Sequence, residues 1–192
     1  SCSRRRGSAV DPLSDMAILE SDGALPGPPL EVQTIRWTYQ EKISVIPGAG
    51  MSGETPEIVC GEPVEFGKTR IVPIALDHPG GLPVMHFCGR WIGMTGVLRD
   101  PSGQFAYMTT KESIAPLLRV KPAPRPIAGI DATGPDWMKP NTAHGLFVRG
   151  ALTSFKVAGE AEPFFNLALE RDRSIPELHF WMGKNYFKQQ GR

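Results

Sequence analysis

Short runs of alternating apolar and polar residues dominate the chain. Ile35, Trp37 and Tyr39 alternate with Arg36 and Thr38 within residues 31–46, which predicts a strand with one apolar face. Residues 57–76 carry Val64, Phe66, Ile71, Val72, Ile74 and Leu76. They predict a second extended region, with Pro73 placing it at an edge or a bulge. Residues 82–88 suit either a short helix or a strand. Residues 90–98 and 104–110 read as a hairpin about the turn Asp100-Pro101-Ser102-Gly103, with Phe105 and Tyr107 on one face. Residues 111–120 suit a helical turn or a strand. Three closing strands are expected at 145–158, 163–170 and 177–187. Phe165, Leu167 and Leu169 share one face of the second of these, and Leu178, Phe180 and Met182 one face of the third.

Breakers punctuate nearly all of this. Glycine (21) and proline (19) together make 40 of the 192 residues, well above ordinary usage. The longest stretch without either runs from Leu30 to Ile46. Strands of five or six residues fit between such breaks, whereas helices of ten or more are not expected over most of the chain. No strand–helix alternation appears, which argues against a doubly wound parallel sheet. The expectation is an all-β chain: a single eight-stranded jelly-roll β-sandwich with long loops at residues 31–192, preceded by an extended N-terminal arm at residues 1–30. A closed barrel is the structural alternative. The arm has room for a helical turn or two at residues 13–20 before its Pro26–Pro29 exit. Residues 121–145 form a long proline-rich excursion of the kind that makes contacts.

Charge adds one feature. The net charge is +1, but Arg4, Arg5 and Arg6 lie in the first seven residues and Lys184, Lys188 and Arg192 in the last nine. The body between these basic ends is mildly acidic. Such ends suit tails that touch an anion, or simply aid solubility. Three cysteines, Cys2, Cys60 and Cys88, are too few for a disulfide framework and favour a reducing compartment. No apolar run reaches the roughly 20 residues of a membrane span.

The chemistry-bearing residues are sparse. His78, His86, Cys88, His144 and His179 are the candidate metal ligands. His86 and Cys88, two apart, would point to the same side of a strand and make half of a zinc site. A second close pair is missing, and a packed His and Cys is the commoner outcome. Cys60 lacks an upstream histidine to serve as its base, and Cys88 has only near-neighbour histidines. There is no phosphate-binding loop and no Gly-x-Ser-x-Gly elbow. The sequence therefore predicts no catalytic residue, no metal and no cofactor.

One segment bears a family likeness. His86-Phe87-Cys88-Gly89-Arg90-Trp91-Ile92-Gly93-Met94-Thr95-Gly96-Val97 resembles the entry to the fourth strand of picornavirus-like capsid jelly rolls. The stretch from Leu178 to Phe187 is similar to their last strand. In size the chain resembles the small coat proteins of plant secovirids of the comovirus and cheravirus types, and an opening Ser1 suits release from a polyprotein. The resemblance implies a structural, non-enzymatic coat protein that assembles with copies and sister chains into an icosahedral shell around single-stranded RNA. Its location would be the virion, and the host cytoplasm during assembly. Its partners would be other capsid chains and genomic RNA held by non-specific electrostatics through Arg4, Arg5 and Arg6, with no membrane. Trp137, Met138 and Lys139 would lie at a subunit interface, where Trp137 either anchors a neighbour or covers its own core. The alternatives are a β-rich subunit of a large cellular ribonucleoprotein, or a small metal-dependent or hydrolytic enzyme.

Overall fold

The computed structural model describes residues 6–11, 16–20, 33, 42–46, 57–75, 80–119 and 134–191. Its strands are β1 (Arg6–Asp11), β2 (Met16–Glu20), β3 (Lys42–Val45), β4 (Glu57–Val59), β5 (Val64–Phe66), β6 (Thr69–Pro73), β7 (Pro83–His86), β8 (Trp91–Asp100) and β9 (Gly103–Thr110). Its helices are α1 (Lys111–Arg119), α2 (Ala143–Lys156), α3 (Ala158–Arg171) and α4 (Pro176–Gln190), with a 3-10 turn at Asp136–Met138. Within the expected arm, β1 and β2 form a separate antiparallel pair. Residues 16–20 are therefore a strand and not a helical turn. Ile35, Trp37 and Tyr39 lie outside the described residues.

The main sheet has seven antiparallel strands in the order β4-β3-β7-β8-β9-β6-β5. Its two edge strands, β4 and β5, are consecutive in sequence, so the segment 57–66 reaches both edges. Cys60 makes a bridge with Ile74. The Gly61 N–H donates to the Pro73 carbonyl at 2.7 Å, and the Ala75 N–H donates to that of Val59 at 3.3 Å. The sheet thus curls until its edges meet, which removes most of the exposed edge that a flat sheet would present.

Alternation now decides which core a side chain enters. The concave face of the curl holds Ile43, Val45, Ile58, Cys60, Val72, Ile74, Val84, Ile92, Ala106 and Met108. The convex face presents Val64, Phe66, Ile71, Leu98, Phe105 and Tyr107 to the helices, where Trp137, Phe147, Phe165, Leu178 and Trp181 complete a second core. Adjacent residues split between the two, as Ile71 does from Val72 and Tyr107 from Met108. The curvature brings backbones close. A Cβ on Gly96 would fall within the Tyr107 ring across the β8–β9 hairpin.

The jelly-roll expectation is overturned. The hairpin at 90–110 is present, as β8 and β9. The three closing strands expected at 145–158, 163–170 and 177–187 are instead helices α2, α3 and α4. Prolines sit where a helix tolerates them or near its beginning: Pro176 is at the first turn of α4, and Pro163 lies in the first half of α3. Buried residues recur at helical spacing, as Ala161, Phe165 and Ala168 in α3 and Leu178, Trp181 and Asn185 in α4.

One ion pair joins the two layers. Asp100, at the end of β8, accepts from the Nε of Arg149 on α2 at 2.5 Å, with side chains 5% and 2% exposed. The Arg149 guanidinium also donates to the carbonyls of Gly145 (3.0 Å) and Met138 (2.9 Å). It lies 5.6 Å from the centre of the Phe105 ring. Burial pushes the Asp100 carboxyl up. Hydrogen bonds from Ser102 and Arg149, with the charge of Arg149, outweigh it and hold the pKa below the usual 3.8.

Two outcomes are expected. Breaking a buried pair on one side leaves an uncompensated charge, so Asp100→Asn should lower stability by about 3–5 kcal/mol in urea unfolding at pH 7. Because the folded carboxyl titrates lower than the unfolded one, its contribution is complete above pH 3.8 and is lost as the pH falls through the folded value. Wild type and Asp100→Asn should therefore converge in acid. Gly96→Ala should cost roughly 1–3 kcal/mol by overpacking against Tyr107.

Candidate functional site

The basic ends do not form a common anion site among the described residues. Arg4 and Arg5 lie outside those residues, and Arg6 begins β1. At the other end Lys184 and Lys188 belong to α4 and not to a tail. Lys184 pairs with Glu62 and lies 4.7 Å from the Trp181 ring centre. Its pKa is drawn down first by burial and then by the charge of Lys188. Lys188 donates to the Ser154 carbonyl at 3.4 Å, and burial lowers its pKa too.

Of the expected interface triplet, Trp137 and Met138 pack on the core and Lys139 does not. Trp137 is 4% exposed and packs edge-on against Phe66 and Tyr107, with ring centres 5.7 and 5.5 Å apart. It covers its own core, as the second reading of its sequence allowed. Met138 packs against the same core and supplies a carbonyl to Arg149. Lys139 is exposed and pairs with Asp136 at 2.8 Å.

The candidate metal ligands are dispersed. His144 is exposed on α2. His179 is exposed on α4, with its Nε2 3.0 Å from the Arg173 carbonyl. His78 lies outside the described residues. No group of three or more His, Cys, Asp or Glu residues gathers at metal-holding distance among the described residues. Cys60 is buried in the concave core and Cys88 is exposed. Among the described residues, no helix is long and apolar enough to cross a membrane.

His86 and Cys88 do come together, across the turn that joins β7 to β8. The Gly89 N–H donates to the His86 carbonyl, and the His86 N–H to that of Arg90, both at 2.8 Å. Gly89 closes the turn at φ +77°, a left-handed conformation that glycine adopts without a steric cost. This tight reversal puts residues two apart on the same side. The His86 Nδ1 lies 2.8 Å from the Cys88 Sγ.

The same nitrogen accepts from the Cys88 backbone N–H at 3.4 Å. With the ring hydrogen on Nε2, Nδ1 is the acceptor in both contacts. An unprotonated ring nitrogen facing a thiol is the arrangement that accepts a thiol proton. His86 is half-buried, and the Phe87 ring lies against it with centres 4.0 Å apart. The sequence placed His86 and Cys88 side by side but as a metal half-site. What it did not reveal is the turn that sets nitrogen against sulfur.

No protein-family model matches the chain, and no curated protein matches it in sequence. Among solved structures it is similar to the active form of the Rv3671c protease from M. tuberculosis, at 17% identity and a TM-score of 0.49, over 64% of this chain and 60% of that one. It is also similar to the MamO protease domain from Magnetospirillum magneticum in its apo form, at 14% identity and a TM-score of 0.47, over 60% and 68% of the two chains. The inactive form of the Rv3671c protease gives 18% identity and a TM-score of 0.47, over 61% and 66%. The chain thus spans about 60% of the length of the first of these. At these values the likeness assigns neither family nor activity.

The coat-protein expectation is nonetheless overturned, together with its sister capsid chains, its packaged RNA and its lack of catalysis. The jelly roll that implied them is absent among the described residues: the sheet is one curled antiparallel layer backed by helices, and the segment offered as a closing capsid strand, residues 178–187, is helical.

Exposure and pairing together give a chemical expectation. Iodoacetamide should modify Cys88 in the folded protein and reach Cys60 only after unfolding, as read by peptide mass mapping. His86→Ala should slow Cys88 alkylation severalfold at neutral pH. Equal labelling of Cys60 and Cys88 under native conditions would contradict the placement of Cys60.

Proposed function

We propose that the chain is a thiol-dependent enzyme of the acyl-transfer class, with Cys88 as nucleophile and His86 as its base. The observation that carries the reading is the 2.8 Å approach of Nδ1 to Sγ. Among the described residues His144 and His179 are exposed, with His179 against the Arg173 carbonyl, whereas His86 faces a thiol. The reading rests on the pair and not on the fold likeness.

The chemistry follows from the geometry. The Cys88 thiol passes its proton to Nδ1, and the thiolate attacks the carbonyl carbon of an acyl donor. The tetrahedral species collapses to an acyl-cysteine as the leaving group departs, taking the proton back from the imidazolium. Water, or another acceptor deprotonated by the same ring, then releases the acyl group. Splitting one displacement into two is what a covalent intermediate contributes, and a positioned base contributes typically 10²–10⁴-fold.

p-Nitrophenyl acetate tests this directly. Turnover by wild type should show an acetyl adduct on Cys88 by intact mass and peptide mapping. Cys88→Ala should lose at least about 100-fold of the rate, and His86→Ala a comparable factor. A Cys88→Ala protein that turns over the ester at the wild-type rate would refute the assignment.

A further inference from the structure

Helix α4 is apolar on both sides, and we infer that its outer face pairs with the same face of a second copy of the chain, antiparallel and about a two-fold axis. The inference is independent of the chemistry at Cys88. The helix packs on the core through Leu178, Trp181 and Asn185. Its outward positions include Pro176, Phe180, Gly183, Phe187 and Gln190, all exposed and separated by four, three, four and three residues. That is the spacing of a helix that faces another helix. His179 and Tyr186 widen the same face. Phe180, Tyr186 and Phe187 are 63%, 61% and 81% exposed. A helix face turned to water ordinarily carries charge. The charged residues of α4, Glu177, Lys184 and Lys188, sit at its half-buried flanks instead.

Gly183 is a second, independent observation. Glycine inside a helix lowers its stability relative to alanine. A Cβ on Gly183 would meet nothing within 4 Å, so the chain's own packing does not call for glycine there. The close approach of another helix does, because glycine leaves room for a large side chain at the contact.

The face is complementary to itself in one register. Antiparallel pairing about an axis between Phe180 and Gly183 sets Phe180 against the partner's Gly183 and Phe187 against the partner's Pro176, large against small. On one flank Glu177 comes alongside the partner's Lys184, and on the other His179 comes alongside the partner's Tyr186. Lys184 stands at the edge of the face, its Nζ 5.9 Å from the centre of the Phe180 ring. The groove on this flank is lined by Glu62, Glu65 and Glu177, with Arg70 paired to Glu65 at 3.2 Å. The partner's Lys184 therefore approaches an acidic surface. Two-fold symmetry makes each contact twice, and antiparallel helix dipoles attract. The overlap is about three turns of one helix pair and falls short of the roughly 1,200 Å² of a standard interface. The dimer is accordingly weak, forming at micromolar and not at nanomolar concentration.

Sedimentation velocity of the full chain, from low micromolar to several hundred micromolar, tests the pairing. Wild type should pass from monomer to dimer and no further, since a two-fold contact closes on itself. Phe187→Glu should raise the dissociation constant at least about 10-fold, with the unfolding midpoint of the monomer unchanged. Gly183→Leu should raise it by a similar factor without destabilising the monomer, whereas indiscriminate apolar association would be strengthened by the added leucine. Glu177→Lys should weaken the dimer most at low salt. A chain that stays monomeric throughout the series overturns the inference and leaves the face to an unlike partner. A dimer that keeps its affinity in Phe187→Glu, one that Gly183→Leu strengthens, or growth beyond the dimer overturns it as well.

Discussion

The Asp100–Arg149 contact is the constraint that the two-layered structure depends on. A curled sheet and a group of helices each bury an apolar face, but apolar contact alone does not specify how one sits on the other. Arg149 removes that freedom. Its guanidinium joins the end of β8, the first turn of α2 and the 3-10 turn that carries Trp137. A charge this deeply buried is tolerable only when each of its donors finds an acceptor. The placement of three separate elements is therefore tied to one side chain. β8 links this contact to the site: its last residue is Asp100, and its first follows the turn that holds Cys88.

The sheet was legible where short-range chemistry fixes it. The turn at Asp100–Gly103 lies between alternating runs, and its hairpin is present, in register from Gly93 opposite Thr110 to Asp100 opposite Gly103. The extended region that carries Ile71, Val72 and Ile74 was also expected from its letters. It gave no sign that both faces would be apolar cores, one inside the curl and one beneath the helices. Closure depends on the Cys60–Ile74 bridge, and no local signal announces that pairing.

The C-terminal third was misread for a definable reason. Leu178, Phe180 and Met182 alternate as a strand face would, yet Phe180 is 63% exposed, and Leu167, grouped with Phe165 and Leu169, is 45% exposed. The competing spacing, Leu178 with Trp181 and Asn185, is the one that is buried. Both periods were present in the letters, and the density of glycine and proline favoured the wrong one. Pro163 and Pro176 read as breaks, although Pro176 stands in the first turn of α4, where a helix accommodates it. The basic C-terminus likewise belongs to a helix and not to a tail: Lys184 and Lys188 tie α4 to Glu62 and Ser154, with Lys184 lying beside Trp181 of the same helix. The site was half legible. The two-residue spacing of His86 and Cys88 was visible, whereas the hydrogen-bonded turn that aims Nδ1 at Sγ belongs to the backbone.

The most direct measurement is the tautomer and coupling of the His86 ring, read from long-range ¹H–¹⁵N correlation spectra of labelled protein before and after alkylation of Cys88. The account requires the neutral ring to carry its hydrogen on Nε2, with an Nδ1 resonance that moves when Sγ is alkylated. A ring protonated on Nδ1 in its neutral form, or an Nδ1 resonance indifferent to Cys88, would contradict the pairing on which the chemistry stands.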